Sequence, residues 1–202
     1  APAVLLIVFA YFFGSITFGL VLVRIFKSVD IRTVGSGNIG ATNAARAGGW
    51  KLGVATLAAD IAKGAAPVAL SLLLFDKATT SGQISISLIV LAVFSGHLFP
   101  VFLGFKSGGK GVATAAGCFL AASPVSALTA VATFTIVVAL SKRVSAGSLA
   151  GAFMLPIGTL WVETGWVLPA CALAVALLVA WCHRDNVQRL LAGTEPKLGD
   201  KI

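Results

Sequence analysis

The chain has little charge and very little acid. Of its 202 residues only 11% are charged, seven are Asp or Glu, and 58% are hydrophobic, where an ordinary soluble domain carries about 25% charged residues. A water-soluble globule is excluded on composition alone. Cysteine is equally scarce, with Cys118, Cys171 and Cys182 in or at the ends of apolar stretches. An odd number without paired spacing argues against a disulfide framework and against a zinc site, so the reading includes no metal and no cofactor. Buried cysteines of this kind are packing residues.

What the chain does have is long apolar runs, at residues 4–23, 52–75, 84–103, 112–140 and 149–181, against about 20 residues needed per membrane crossing. The first run contains Tyr11 and Thr17 and has no basic residue ahead of it, so it reads as a retained helix and not a signal peptide. Basic loops belong on the cytoplasmic side, so an even number of crossings must separate any two of them. The run between Lys110 and Lys142 must therefore reverse, and Pro124 is the natural point, because proline cannot donate to a helix and disfavours helix at the residue before it. The next run divides in the same way at residues 163–165, an acid followed by Thr and Gly. The expectation is an all-α polytopic membrane protein: one domain over residues 1–202, seven transmembrane helices, N-terminus out and C-terminus in. Its fourth and fifth helices are expected to be unusually short.

Thirteen of the fifteen Lys and Arg residues fall in four polar segments, all assigned to one face. Part of the +8 net charge is an orientation signal and an attraction to anionic lipid, worth roughly 1 kcal/mol per basic residue near the surface; nucleic acid is not an expected partner. That reading does not explain why glycines accompany the charges. The first segment, GSGNIGATNAAR from Gly35 to Arg46, contains a formal G-x-G-x-x-G, but a membrane helix precedes it where a dinucleotide fold needs a strand. The chemistry that remains is oxyanion binding. Gly35, Gly37 and Gly40 let backbone amides approach, Ser36, Asn38, Thr42 and Asn43 add neutral donors, and Arg46 adds a planar charged fork.

The second segment, from Gly104 to Thr114, nearly satisfies the nucleotide-binding G-x-x-x-x-G-K-[ST] but has Gly111 where the hydroxyl should be. It feeds a helix N-terminus, which favours an anion, and Lys106 and Lys110 reinforce that preference beside Gly108, Gly109 and Gly111. In the tail, His183 and Asn186 are spaced to share one helix face, and Arg189, Leu190 and Leu191 suit a short amphipathic helix on the membrane surface. Ser145 and Ser148 follow Lys142 and Arg143 as a further polar patch. Inside the second apolar run, Asp60 and Lys63 stand three apart and are expected to pair, because an unpaired charge in the membrane is costly. His97 reads as a polar anchor.

Three stretches in this order, GSGNIGATNAAR, GHLFPVFLGFKSGGKGVAT and HRDNVQRLLAGTEPK, resemble the three motifs of the bacterial acyl-phosphate:glycerol-3-phosphate acyltransferase family, PlsY. One departure is visible: the stretch Lys106 to Lys110 is one residue longer than the family's FKGGKG. The resemblance implies transfer of a fatty acyl group from acyl phosphate to the 1-hydroxyl of glycerol 3-phosphate, giving lysophosphatidic acid and phosphate at the cytoplasmic face of the bacterial plasma membrane. It implies catalytic roles for Ser36, Arg46, His183 and Asn186. It gives Gly108, Gly109, Lys110 and Gly111 to the acyl-phosphate site, while residue chemistry adds Gly37, Asn38, Thr42, Asn43, Lys106 and Ser145 as substrate-binding candidates. Glu195 would hold the tail in place. The implied partners are the two substrates, membrane lipid, and a soluble enzyme that makes the acyl phosphate. His97 and His183 are followed five positions later by Phe102 and Gln188, so the His-x4-Asp motif of ordinary acyltransferases is missing, which favours an activated donor. Either His183 or the donor's own phosphate would accept the hydroxyl proton. The alternative from another class is a secondary transporter for an organic phosphate.

Overall fold

A computed structural model describes residues 2–106 and 108–200. Ser107 and Lys201, which belong to the polar segments, lie outside the described residues. The described chain forms ten α-helices: α1 (Pro2–Gly14), α2 (Phe18–Lys27), α3 (Ala41–Gly48), α4 (Trp50–Leu74), α5 (Thr80–Leu98), α6 (Val112–Ala122), α7 (Pro124–Ser141), α8 (Val144–Val162), α9 (Val167–Cys182) and α10 (Arg184–Leu191). Short 3-10 turns lie at Ile31–Thr33 and Val101–Leu103.

Hydrogen bonds between distant segments define two ends of the bundle. At one end Lys77 Nζ donates to Glu163 Oε1 at 2.9 Å, Ser123 Oγ donates to the same oxygen at 2.6 Å, and Gln83 Nε2 donates to the Thr164 carbonyl at 2.8 Å. At the other, Lys110 donates to Asn186, Arg143 Nε to the Glu195 carbonyl at 3.2 Å and Leu198 N to the Lys142 carbonyl at 2.6 Å. Hence α6 leaves the Lys110 end and stops at the Glu163 end, α7 returns, α8 crosses again and α9 comes back to His183.

The reversal falls where proline dictates, with α6 ending at Ala122 and α7 opening on Pro124 as its first residue. The two helices are unequal. Only α6, at 11 residues, is short, whereas α7 has 18, because the joint lies closer to the start of the apolar run than to its end. Among the described residues five helical segments are long and apolar enough to cross a membrane, taking α1 and α2 as one span. Joining α9 to α10, which meet at a 63° bend, gives a sixth.

Small residues set the interhelical spacing. Gly64 of α4 faces the Thr114 carbonyl and Gly117 of α6 faces the Ile61 carbonyl, so α4 and α6 approach backbone to backbone. Gly14 and Gly96 do the same for α1 and α5. The main core gathers Val68, Ile89, Phe94, Phe119, Leu168 and Val175, all fully buried. Many large apolar side chains point outward, Leu73, Leu140 and Trp161 among the most exposed, as expected of surfaces that face hydrocarbon.

Candidate active site

At the Lys110 end the C-terminal tail folds back over the helix ends, fastened by one carboxylate. Glu195 Oε1 accepts from Asn186 Nδ2 at 2.6 Å and Oε2 from Arg189 Nε at 2.7 Å. Burial pushes the Glu195 carboxyl up, but hydrogen bonding by its neighbours and the Arg189 charge outweigh it, so the group lies below its ordinary range and is ionised. The buried Ser145 hydroxyl lies beside the same carboxylate and helps to lower it, although it falls short of hydrogen-bond geometry. Asn186 is thereby oriented so that its Oδ1 accepts from Lys110. Burial lowers the Lys110 ammonium from its ordinary value, with the Glu195 charge partly opposing.

His183 joins α9 to α10 and is 3% exposed. Its Nδ1 lies 2.8 Å from the Val179 carbonyl. A carbonyl only accepts, so the ring proton sits on Nδ1 and Nε2 carries a lone pair. Burial drives the imidazole down to about 4, against the partial support of that hydrogen bond. The ring is therefore neutral at pH 7.

The glycine-lysine loop leads into α6, whose cap residue Gly111 has φ +78° and offers no side chain to the helix amides. Such an uncapped N-terminus favours an anion. Gly109 N donates to the His97 carbonyl at 3.1 Å, which seats the loop on the end of α5. Lys106 is exposed.

The first polar segment is built around Asn43, which is 2% exposed. Its Nδ2 donates to the Ile31 and Val34 carbonyls at 3.0 and 2.9 Å, and its Oδ1 accepts from Ser36 N at 3.1 Å. Asn43 thus shapes the loop from within. Asn38 Oδ1 is occupied by Gly40 N at 2.9 Å. Ser36, Thr42 and Arg46 are exposed, with Gly35 lying between the Asn43 carboxamide and the Arg46 stem. Ile31, Ile39 and Ala44 pack with Leu20, Val23 and Leu103, which places the segment beside the chain that leads into the glycine-lysine loop. Among the described residues no hydrogen bond joins Ser36 or Arg46 to the Lys110 cluster.

Sequence reasoning missed Arg143 as a tie to the tail. It also missed the contact of Lys63 with His97, whose Nδ1 lies 2.9 Å from Lys63 Nζ. The expected pairing of Asp60 with Lys63 is present at 3.1 Å.

These features are those of a multi-pass membrane protein with a half-buried lysine, a fastened C-terminal tail and a neutral imidazole gathered at one end of the helices. Residues 4–193 match the family described as glycerol-3-phosphate acyltransferase. The chain is 45% identical to the glycerol-3-phosphate acyltransferase of Anaeromyxobacter sp. (strain Fw109-5), covering 96% of this chain and 95% of that one. It is also 45% identical to the one from Syntrophotalea carbinolica, over 92% of each. The crystal structure of PlsY, an integral membrane glycerol 3-phosphate acyltransferase, in its glycerol 3-phosphate form superposes with a TM-score of 0.91 at 37% identity, covering 98% of this chain and 96% of that one. Its lysophosphatidic acid form gives 0.89 at 36% identity, covering 98% and 95%. The chain belongs to the PlsY glycerol-3-phosphate acyltransferase family and is a membrane-embedded glycerol-3-phosphate acyltransferase of phospholipid synthesis. The transporter reading is set aside.

Proposed function

We propose that the acyl donor is an acyl phosphate, and that the enzyme transfers its acyl group to the 1-hydroxyl of glycerol 3-phosphate to release lysophosphatidic acid and inorganic phosphate. The observation that carries this reading is the convergence of Lys110, Asn186, Glu195 and Ser145 with the open N-terminus of α6 at one end of an apolar bundle. That arrangement suits a phosphate whose acyl tail lies among helices. Arg46 and Ser36, with Asn38 and Thr42, take the glycerol phosphate, and Gly108, Gly109, Gly111 and Lys110 take the phosphate of the donor.

The hydroxyl oxygen attacks the acyl carbon, and the carbon–oxygen bond to phosphate breaks with its electron pair leaving on the phosphate. A mixed anhydride needs little further activation, so positioning and charge neutralisation carry the rate. His183 Nε2 accepts a hydrogen bond from the hydroxyl and orients it. The proton ends on the departing phosphate, so the donor supplies its own base and His183 keeps its protonation state.

The chain crosses the bacterial plasma membrane seven times, with the N-terminus outside, the C-terminus inside and the site at the cytoplasmic face. Two features support this. Successive helices from α6 to α9 run between the Lys110 and Glu163 ends, and the basic segments collect at the Lys110 end, as cytoplasmic loops do. The short α6 spans about 16 Å, so the bilayer or the polar ends must close in around it. A cytoplasmic site also suits delivery of the donor by the soluble enzyme that makes it. Purified protein in lipid, supplied with both substrates, is expected to form lysophosphatidic acid and phosphate. Arg46→Ala should lose at least about a hundredfold in kcat/KM through loss of a charged, bidentate contact. Undiminished turnover by folded Arg46→Ala would remove Arg46 from the site.

A further inference from the structure

The turn between α7 and α8 carries the C-terminal tail. Lys142 closes α7 with φ +59°, a left-handed conformation that reverses the chain, and Ser141 Oγ steadies the turn by accepting from Arg143 N at 3.1 Å. Two groups on the turn face the tail. The Lys142 carbonyl accepts from Leu198 N at 2.6 Å, and Arg143 Nε donates to the Glu195 carbonyl at 3.2 Å. Pro196, whose ring fixes its own φ, stands between these two points.

Glu195 is located from both sides. Its amide and that of Thr194 donate to the Arg189 carbonyl at 3.1 and 2.9 Å, which ties the tail to α10, while its carbonyl is tied to Arg143. Among the described residues, the hydrogen bonds that join residues 193–200 to the bundle outside α10 come from this turn. Packing does little in their place. The Leu198 side chain is exposed, and an open cleft of about 580 Å³ lies between Arg143 and the tail from Gly193 to Lys197. Polar ties therefore set where Glu195 sits. From that place its carboxylate accepts from Asn186 Nδ2, and Asn186 Oδ1 accepts from Lys110.

We propose that Arg143 is a positioning residue for acyl transfer: by holding the Glu195 carbonyl it keeps the Glu195 carboxylate where it orients Asn186 toward Lys110. Arg143 touches no substrate in this scheme. The inference rests on the assignment of Asn186 and Lys110 to the active site, and it is the same whichever substrate's phosphate they meet.

The test uses full-length protein in lipid, with acyl-transfer kinetics and amide hydrogen exchange measured on the same variants. Arg143→Met keeps a long stem and loses the donor. It should lower kcat/KM about tenfold and speed exchange of the Thr194 and Glu195 amides about tenfold, since both lie at the tied point. Arg143→Gln carries an amide nitrogen one bond beyond Cδ, where arginine has Nε, and drops the charge. It should keep kcat/KM within about threefold of the parent and leave exchange slow. A tie that acts through Asn186 has nothing to act on without it, so in an Asn186→Ala background Arg143→Met should lower the remaining turnover by less than about twofold. The positioning role is overturned if folded Arg143→Met turns over like the parent, if Arg143→Gln is as impaired as Arg143→Met, or if the two losses multiply in the double variant. Loss of activity with exchange unchanged overturns the tie itself. Full turnover by Asn186→Ala overturns instead the assignment of Asn186 to the site. Should Arg143→Met not fold, Arg143→Ala takes its place in each comparison.

Discussion

Asn186 and Glu195 are bonded side chain to side chain, Nδ2 to Oε1 at 2.6 Å, and the bond decides which end of the Asn186 carboxamide Lys110 meets. With the amide nitrogen committed to Glu195, the oxygen is left to accept from Lys110. The tail is thus a working part of the site, although its acid need touch no substrate.

Replacing Glu195 with Ala removes the acceptor for both Asn186 and Arg189. Hydrogen bonds to charged groups are worth about 1.5–3 kcal/mol, so kcat/KM should fall roughly ten- to a hundredfold. Steady-state kinetics on folded variant protein check this. Glu195→Gln keeps an acceptor oxygen for one of the two donors and should lose less.

The neutral His183 makes a signed prediction for acid. Its folded value, about 4, lies below the ordinary 6.5 mainly through burial, so between these values the unfolded chain binds a proton that the folded chain does not. The stability contribution is complete above about 6.5, declines as pH falls, and is gone by about 4. Thermal midpoints measured from pH 7 to 4 should fall more steeply for the parent than for His183→Gln. Parallel slopes would contradict the neutral assignment. The lowered Glu195 carboxyl loses its own contribution as pH falls below its ordinary 4.5, and this loss is common to both proteins.

Two glycines make a matched comparison. A methyl at Gly109 would collide with the His97 imidazole, which Lys63 prevents from swinging aside. Gly49 has φ +91° but nothing within 4 Å of the added carbon. Gly49→Ala should cost only the backbone strain, about 1–2 kcal/mol, with kinetics intact. Gly109→Ala should lose most of its turnover. Activity and thermal unfolding of both variants separate the effects.

Much of this was legible in the sequence because it rests on local chemistry. Proline is favoured at the first position of a helix, and α7 begins on Pro124. Asp60 and Lys63 are one helical turn apart and pair. The partition between helices was less legible. The expectation of two short helices overlooked how unevenly Pro124 divides the run, and α7 has 18 residues. Long-range partners left no local trace. Nothing in the spacing of Lys63 and His97, or of Arg143 and Glu195, shows that they meet, because the first pair is joined by the packing of α4 on α5 and the second by a tail that folds back over the helix ends. Asn43 was assigned to the ligand on residue type alone. Its place inside the loop follows from the Ile31 and Val34 carbonyls, which reach it through a turn the sequence does not announce.

The choice of donor tests the central claim most directly. Purified enzyme in lipid with glycerol 3-phosphate should be given acyl phosphate, acyl-CoA and acyl-carrier protein in separate reactions. The account predicts lysophosphatidic acid with stoichiometric phosphate from acyl phosphate alone. Product from acyl-CoA or acyl-carrier protein at a comparable rate, with acyl phosphate inert, would contradict it.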